Sequence, residues 1–380
     1  MTRVMFVVTG LSTGGAEMML FKLIRAMDRG RFPPAVVSLI DKGALGERIE
    51  ALGVPVHTLG MSRSIASMAR LRVLSRLITE ARPDIVQGWM YHANLVASLA
   101  AAMARGPASV LWGVRASLDG HENERRSTAA VIRIGAWASR FTNGIVYNSR
   151  TSARQHEGLG YVRTRSQVIP NGFDCAEFHP DESAGPALRA ELRIGSETLL
   201  VGCLGRFHPV KDHATFMDAA GRALQKDRRL HFVLAGSGVD AANMALATAI
   251  ARHGLSGHVH LLGERRDVPA VTAALDVACS SSAWGESFPN VLGEAMACAV
   301  PCVTTNVGES AEIVGTCGIA VPPRDPNALA SAIVELAALD PVERIRLGLL
   351  ARGRIEQDYS IQAIADRYEQ YYRRIAETSH

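Results

Sequence analysis

The sequence predicts an α/β protein of two doubly wound domains facing across a cleft, and three observations carry that reading. Short, continuously apolar runs alternate with amphipathic stretches of 10–20 residues, as parallel strands covered on both faces by helices require. The pattern breaks once, in a segment rich in Pro, Gly and Asp from about 172 to 195, and then restarts. At 380 residues the chain also exceeds what one ordinary core organises.

In chain order, "VMFVVTG", "AVVSLI", "DIVQGW", "SVLWGV", "GIVYNS" and "SQVIPNG" read as strands of a first domain, residues 1–174. "LLVGCLG", "HFVLAG", "HVHLLG", "DVACSS", "PCVTT" and "IAVPP" read as strands of a second, residues 190–358. The last helical stretch, residues 360–380, carries three tyrosines and is expected to pack back on the first domain.

Composition narrows the class. Hydrophobic residues make up 48% and charged residues 21%, the balance of a globular protein rather than a disordered chain. "ANLVASLAAAMA" is far shorter than a membrane span needs, and "MTRVMFVVTG" lacks the features of a signal peptide. All six cysteines lie beyond residue 174 in apolar settings, which reads as buried thiols of a cytoplasmic protein. Residues 1–180 carry a net charge of +9 and residues 181–380 a net of −5, so the first half is expected to meet an anionic surface or substrate. Two basic amphipathic stretches, residues 63–82 and 124–141, could lie on an anionic membrane, although an apolar stripe is also what a core-facing helix shows.

Four places carry candidate chemistry. "TGLSTGGAEMML" follows the first strand, and Gly14 and Gly15 there let backbone approach a ligand at a helix start. "GRFHPVKD" sets Arg206 and Lys211 at the end of a strand, where a fork and a point charge suit a diphosphate leaving group. "WGESFPNVLGEAM" places Glu286 at the mouth of a helix and Glu294 about a turn inside it, with Pro289 expected in the first turn. The amides of Phe288, Asn290 and Val291 lie between them, so a single ligand could offer phosphate to the amides and hydroxyls to the carboxylates. Arg115 ends the strand "SVLWGV", while His92, Asp119 and His121 are weaker candidates for an acceptor side. No Asp-x-Asp pair or His/Cys cluster with metal-ligand spacing occurs, and these residues assign no metal or cofactor.

"ESFPNVLGEAMACAVPCVTTNVGESAEIVG" resembles the E-x7-E region of the retaining glycosyltransferases of family 4, which have the GT-B fold of two Rossmann-like domains. "GGAE", "VIPNGFDCAEF", "LGRFHPVKD", "VLAGSG" and "LLGERRDVP" resemble the same family in the same order, so the likeness covers most of the chain. The resemblance implies metal-independent transfer of a sugar from a nucleotide-sugar to a glycan, lipid-linked or small-molecule acceptor, in polysaccharide or glycolipid synthesis. It assigns Glu286 to the donor sugar, Glu294 to the ribose, Arg206 and Lys211 to the diphosphate, Gly15 to the phosphates, and backbone from Leu262 to Arg265 to the base. Many family members have a histidine where this chain has Arg115, which puts a fixed cation in the expected cleft. A nucleotide-sugar epimerase of similar fold, or a non-catalytic nucleotide-sugar-binding subunit, are the alternatives.

Overall fold

The structure is a computed structural model that describes residues 1–61, 66–119 and 126–378. The chain divides into two compact units, residues 1–172 with 361–380, and residues 173–360.

The first unit is built on a seven-stranded parallel sheet. Its strands are β1 (Val4–Val8), β2 (Pro34–Ser38), β3 (Val56–Thr58), β4 (Ile85–Trp89), β5 (Ser109–Val114), β6 (Gly144–Tyr147) and β7 (Ser166–Val168), in the spatial order β3-β2-β1-β4-β5-β6-β7. Every residue of β1, β4 and β6 is buried, which is why those runs are apolar without alternation. The short edge strand β3 is the one that apolar patterning does not reveal. Its three residues, Val-His-Thr, are partly or fully exposed.

The last helix, Ile361–Thr378, belongs to this unit although it follows the second in sequence. Its stripe of Ile364, Ala365, Tyr368 and Tyr372 is buried in the core formed by Phe6, Leu20, Leu23 and Trp89. Two hydrogen bonds fix its register: the Tyr372 hydroxyl donates to Gln87 Oε1, and the Asp28 N–H donates to Glu369 Oε1 at 2.8 Å.

The second unit has six parallel strands, β8 (Leu199–Leu204), β9 (Leu230–Ala235), β10 (Val259–Leu261), β11 (Val277–Ser280), β12 (Cys302–Thr305) and β13 (Gly318–Val321), in the order β10-β9-β8-β11-β12-β13. Helices His213–Lys226 and Pro326–Ala338 cover one face, while Asn290–Ala297 and its neighbours cover the other. In both units the order steps outward from the first strand and then reverses to the fourth, which opens a crevice at the carboxyl ends of β1 and β4, and of β8 and β11. All six cysteines are free thiols and five are buried. Among the described residues no helix is long and apolar enough to cross a membrane.

Candidate functional site

The crevice of the second unit is a cavity of about 430 Å³ at the ends of β8 and β9. Gly205 and Gly236 follow those strands and line it. Gly236 has φ +149°, and a Cβ there would stand 2.2 Å from the Gly205 carbonyl oxygen, so the two strand ends meet at a distance only glycine permits.

Two loops meet at its rim. The serine run that ends β11 joins them: Ser281 Oγ donates to the Lys211 carbonyl at 2.8 Å, and the Ala283 N–H donates to the Val210 carbonyl at 2.8 Å. The Lys211 ammonium lies 2.6 Å from Glu286 Oε1, with side-chain exposures of 23% and 13%. Ser282 Oγ donates to the same Oε1 at 2.8 Å, and Thr305 Oγ1 donates to the Ser282 carbonyl at 2.6 Å. Behind them the chain turns at Gly308, where φ is +63° and a Cβ would stand 2.2 Å from the Glu286 carbonyl oxygen.

The second oxygen of Glu286 has no partner among the described residues, and the residue lines the cavity. This carboxylate is therefore held by one oxygen and offers the other to a hydroxyl donor. Partial burial also strengthens its attraction to Lys211 several-fold over bulk water.

Glu294 lines the same cavity from inside the helix Asn290–Ala297, together with Phe288, Asn290 and Val291. The sequence places Pro289 in the first turn; the structure makes it the preceding cap residue, with extended backbone at φ −73° and ψ 108°. Proline suits either position, because neither needs its N–H for the helix. Arg265 also lines the cavity, and its side chain as well as its backbone is engaged. Its guanidinium bonds Glu191 at 2.6 Å and Asp267 at 2.7 Å, and these two bonded carboxylates raise its proton affinity further.

Other expected residues lie elsewhere. Arg206 is exposed, one position beyond Gly205, and is not part of the cavity wall. Leu262 continues the sheet, donating its N–H to the Leu234 carbonyl at 2.9 Å, and packs against the core instead of the cavity.

In the first unit, Gly14 precedes and Gly15 begins the helix Gly15–Ala26, at the end of β1. Glu17 folds back over this start: its Oε2 lies 2.3 Å from where a Cβ on Gly14 would stand. An anion bound there has to displace that carboxylate, which already complements the helix dipole. Arg115 corrects an expectation. It is 8% exposed, not a cation open to ligand. Its guanidinium donates to the Tyr368 hydroxyl at 2.8 Å and to Asn171 Oδ1, and lies 4.8 Å from the ring centroid of Trp89. Its charge anchors the last helix. His92 is exposed at the start of helix Tyr91–Met103, Asp119 is exposed and accepts from Gln155 Nε2 at 2.7 Å, and His121 lies outside the described residues.

Sequence reasoning missed Ser281, Ser282 and Thr305. The available signal was "CSSS", three small hydroxyl residues at the carboxyl end of a buried strand, where side chains can reach only neighbouring loops. Among the described residues no group of three or more His, Cys, Asp or Glu is placed to hold a metal ion.

Two Rossmann-like units, the first carrying the chain's last helix, make the GT-B fold. Residues 13–177 match the family model described as Glycosyltransferase Family 4, and residues 198–338 match that described as Glycosyl transferases group 1. The chain belongs to glycosyltransferase family 4. It is 26% identical over 321 residues to EpsF of Bacillus subtilis (strain 168), whose own glycosyltransferase assignment is provisional, covering 80% of this chain and 79% of that one. It is 25% identical over 270 residues to the UDP-Gal:alpha-D-GlcNAc-diphosphoundecaprenol alpha-1,3-galactosyltransferase of Escherichia coli, covering 69% and 68%. The crystal structure of Anabaena Alr3699/HepE in complex with UDP superposes with a TM-score of 0.85 at 24% identity, covering 98% of this chain and all of that one, a likeness of fold.

Proposed function

We propose that this glycosyltransferase moves a sugar from a nucleotide-sugar to a lipid-linked or glycan acceptor with retention of anomeric configuration and without a metal ion. The observation that carries the reading is the cavity wall itself: a lysine bonded to one oxygen of Glu286, the other oxygen unpartnered, and Glu294 facing the same space. Lys211 and the opening turn of helix Asn290–Ala297 would take the diphosphate, with Arg206 joining from the adjacent exposed loop. Glu286 would accept from the sugar hydroxyls and Glu294 from the ribose hydroxyls. The base would lie along Glu264 and Arg265.

As the glycosidic bond breaks, negative charge grows on the departing phosphate oxygen, and a fixed cation stabilises it without reorganisation. That oxygen takes the acceptor proton on the face it leaves, so no side-chain nucleophile is needed. Glu286 positions the sugar and stabilises its developing positive charge.

The acceptor is assigned to the first unit, whose sequence is basic. A lipid-linked acceptor is supported by the undecaprenol-linked acceptor named for the Escherichia coli relative. On helix Arg126–Ala138 and just beyond it, Ile134, Trp137 and Phe141 are exposed beside Arg140, an arrangement that suits a membrane surface. The other basic stretch is different: Leu71, Leu74 and Ile78 are buried in the core.

Thermal-shift titration with UDP-, GDP- and ADP-sugars tests the donor. One nucleotide class should raise the melting temperature, and Glu294→Ala should weaken that binding about tenfold, as loss of a charged hydrogen-bond partner does. Release of a free epimer in the absence of acceptor would favour the epimerase alternative. Binding with no transfer to any acceptor would favour the non-catalytic one. Activity abolished by EDTA and restored by a divalent ion would overturn metal independence.

A further inference from the structure

The second unit holds another cavity, of about 460 Å³, lined by other residues of the same loops. Asp212, directly after Lys211, and Trp284, two residues before Glu286, belong to its wall, along with Phe207, His213 and Arg324. Three features separate it from an ordinary surface dip.

Arg324 is exposed, has no carboxylate partner among the described residues, and lies 5.2 Å from the ring centroid of Trp284. His213 is only 4% exposed and lines the cavity, yet neither ring nitrogen has a hydrogen-bond partner. Buried polar atoms are nearly always satisfied, so two orphaned nitrogens on one ring in the cavity wall set this place apart from an ordinary surface. Asp212 and Arg324 also both hold left-handed backbone, at φ +47° and +59°. Such conformations in non-glycine residues gather at ligand sites.

The chemistry specifies the ligand. Trp284 and the exposed ring of Phe207 offer apolar faces of the size a pyranose ring covers. Arg324 offers an uncompensated fork for a phosphate or carboxylate. Asp212 does not repel an anion strongly, because its carboxylate is engaged with the Thr215 N–H at 3.2 Å and hydroxyl at 2.7 Å.

We propose that this cavity binds an anionic sugar, a hexose carrying a phosphate or a carboxylate, at a site separate from the nucleotide-sugar cavity. The claim does not depend on which nucleotide the first cavity takes, or on turnover.

Calorimetric titration of the full chain with glucose 6-phosphate, galacturonate, glucose and inorganic phosphate, each with and without saturating UDP, tests it. The two anionic sugars should bind, glucose and phosphate should bind at least about tenfold more weakly, and UDP should not displace the anionic sugars. Arg324→Gln should weaken glucose 6-phosphate about tenfold and leave UDP affinity unchanged. Glucose or phosphate binding as well as the sugar phosphate, competition by UDP, or an unaltered Arg324→Gln variant would each overturn the proposal. Sugar phosphate binding by a chain that ignores every nucleotide would sink the donor reading and leave this one standing.

Discussion

The two units share a strand order and differ in what they do with a charge at a strand end. In the first, Arg115 follows β5 and is enclosed by Tyr368, Asn171 and Trp89. In the second, Lys211 follows β8 and is paired with a carboxylate that still faces a cavity. A cation beyond a strand end thus serves assembly in the first unit, and in the second it holds a carboxylate at a cavity wall. What decides between them is whether the partner keeps an unused acceptor. Tyr368 and Asn171 are buried, whereas Glu286 keeps its second oxygen at a cavity wall.

The largest effect that tests this contrast is expected at Glu286. Replacement by Ala removes both the proposed sugar contact and the partner of Lys211, and turnover should fall by about 10²–10³, the usual scale for one preorganised electrostatic group. Stability should change little, because the pair is partly solvated. Steady-state transfer assays beside a thermal melt separate the two outcomes. A variant that turns over normally would place the chemistry elsewhere.

Arg115→Ala should behave in the opposite way. Removing a buried cation takes the guanidinium donor from the Tyr368 hydroxyl and from Asn171 Oδ1, at a cost of about 3 kcal/mol. The loss should appear as exchange of protected amides in the last helix, while donor affinity stays at the wild-type value. Weakened donor binding with an undisturbed helix would return Arg115 to the ligand side and erase the comparison.

A pair of buried histidines sharpens it further. His156 in the first unit is fully buried and satisfied, with its ring nitrogens 2.9 Å from the Tyr91 hydroxyl and 2.8 Å from the Ser152 carbonyl; His213 in the second is buried and unsatisfied. Burial holds both rings down to about pKa 4. An unfolded histidine titrates near 6.5, so between those values the unfolded chain binds more protons than the folded one. Stability is therefore complete above pH 6.5 and is lost as pH falls toward 4, by up to about 3 kcal/mol for His156. Hydrogen exchange of helix Arg150–Gly158 from pH 7.5 to 4.5 measures it. His156→Gln should flatten the dependence, and an equally steep slope in that variant would mean another group controls it.

Much of this was legible in the sequence, for reasons particular residues make plain. Twelve of the thirteen strands follow from apolar runs, a composition that burial on both faces imposes on central strands such as β1 and β4; the exception, Val56–Thr58, sits exposed at an edge. Glu286 and Glu294 are readable together because one loop and one helical turn separate them. Arg115 is not, because its fate rests on Tyr368, 253 positions further along the chain. Spacing conveys only what is near in sequence. The same limit hid His213, whose lack of partners is a property of everything around it.

Ser282 supplies the smallest and most discriminating test. Its hydroxyl bonds the Glu286 oxygen that Lys211 also holds, and its carbonyl accepts from Thr305. Ser282→Ala removes the hydroxyl while the carbonyl bond to Thr305 is kept, so the loop should stay in place. Glu286 would then be held by the lysine alone, which fixes distance but not orientation, since an ammonium is a rotatable point charge. A single neutral hydrogen bond to a carboxylate is worth about 1.5 kcal/mol, or roughly tenfold in rate. If Ser282 acts by aiming the carboxylate, the loss falls on kcat and Ser282→Thr restores most of it, whereas a loop that merely loosens would raise KM for donor and be rescued by neither. Stopped-time assays across donor concentration distinguish the two. A tenfold fall in kcat at constant KM would show that the second unit's carboxylate depends on its hydroxyl neighbour for aim, which the first unit's arginine, bonded on two sides and stacked on a third, does not require.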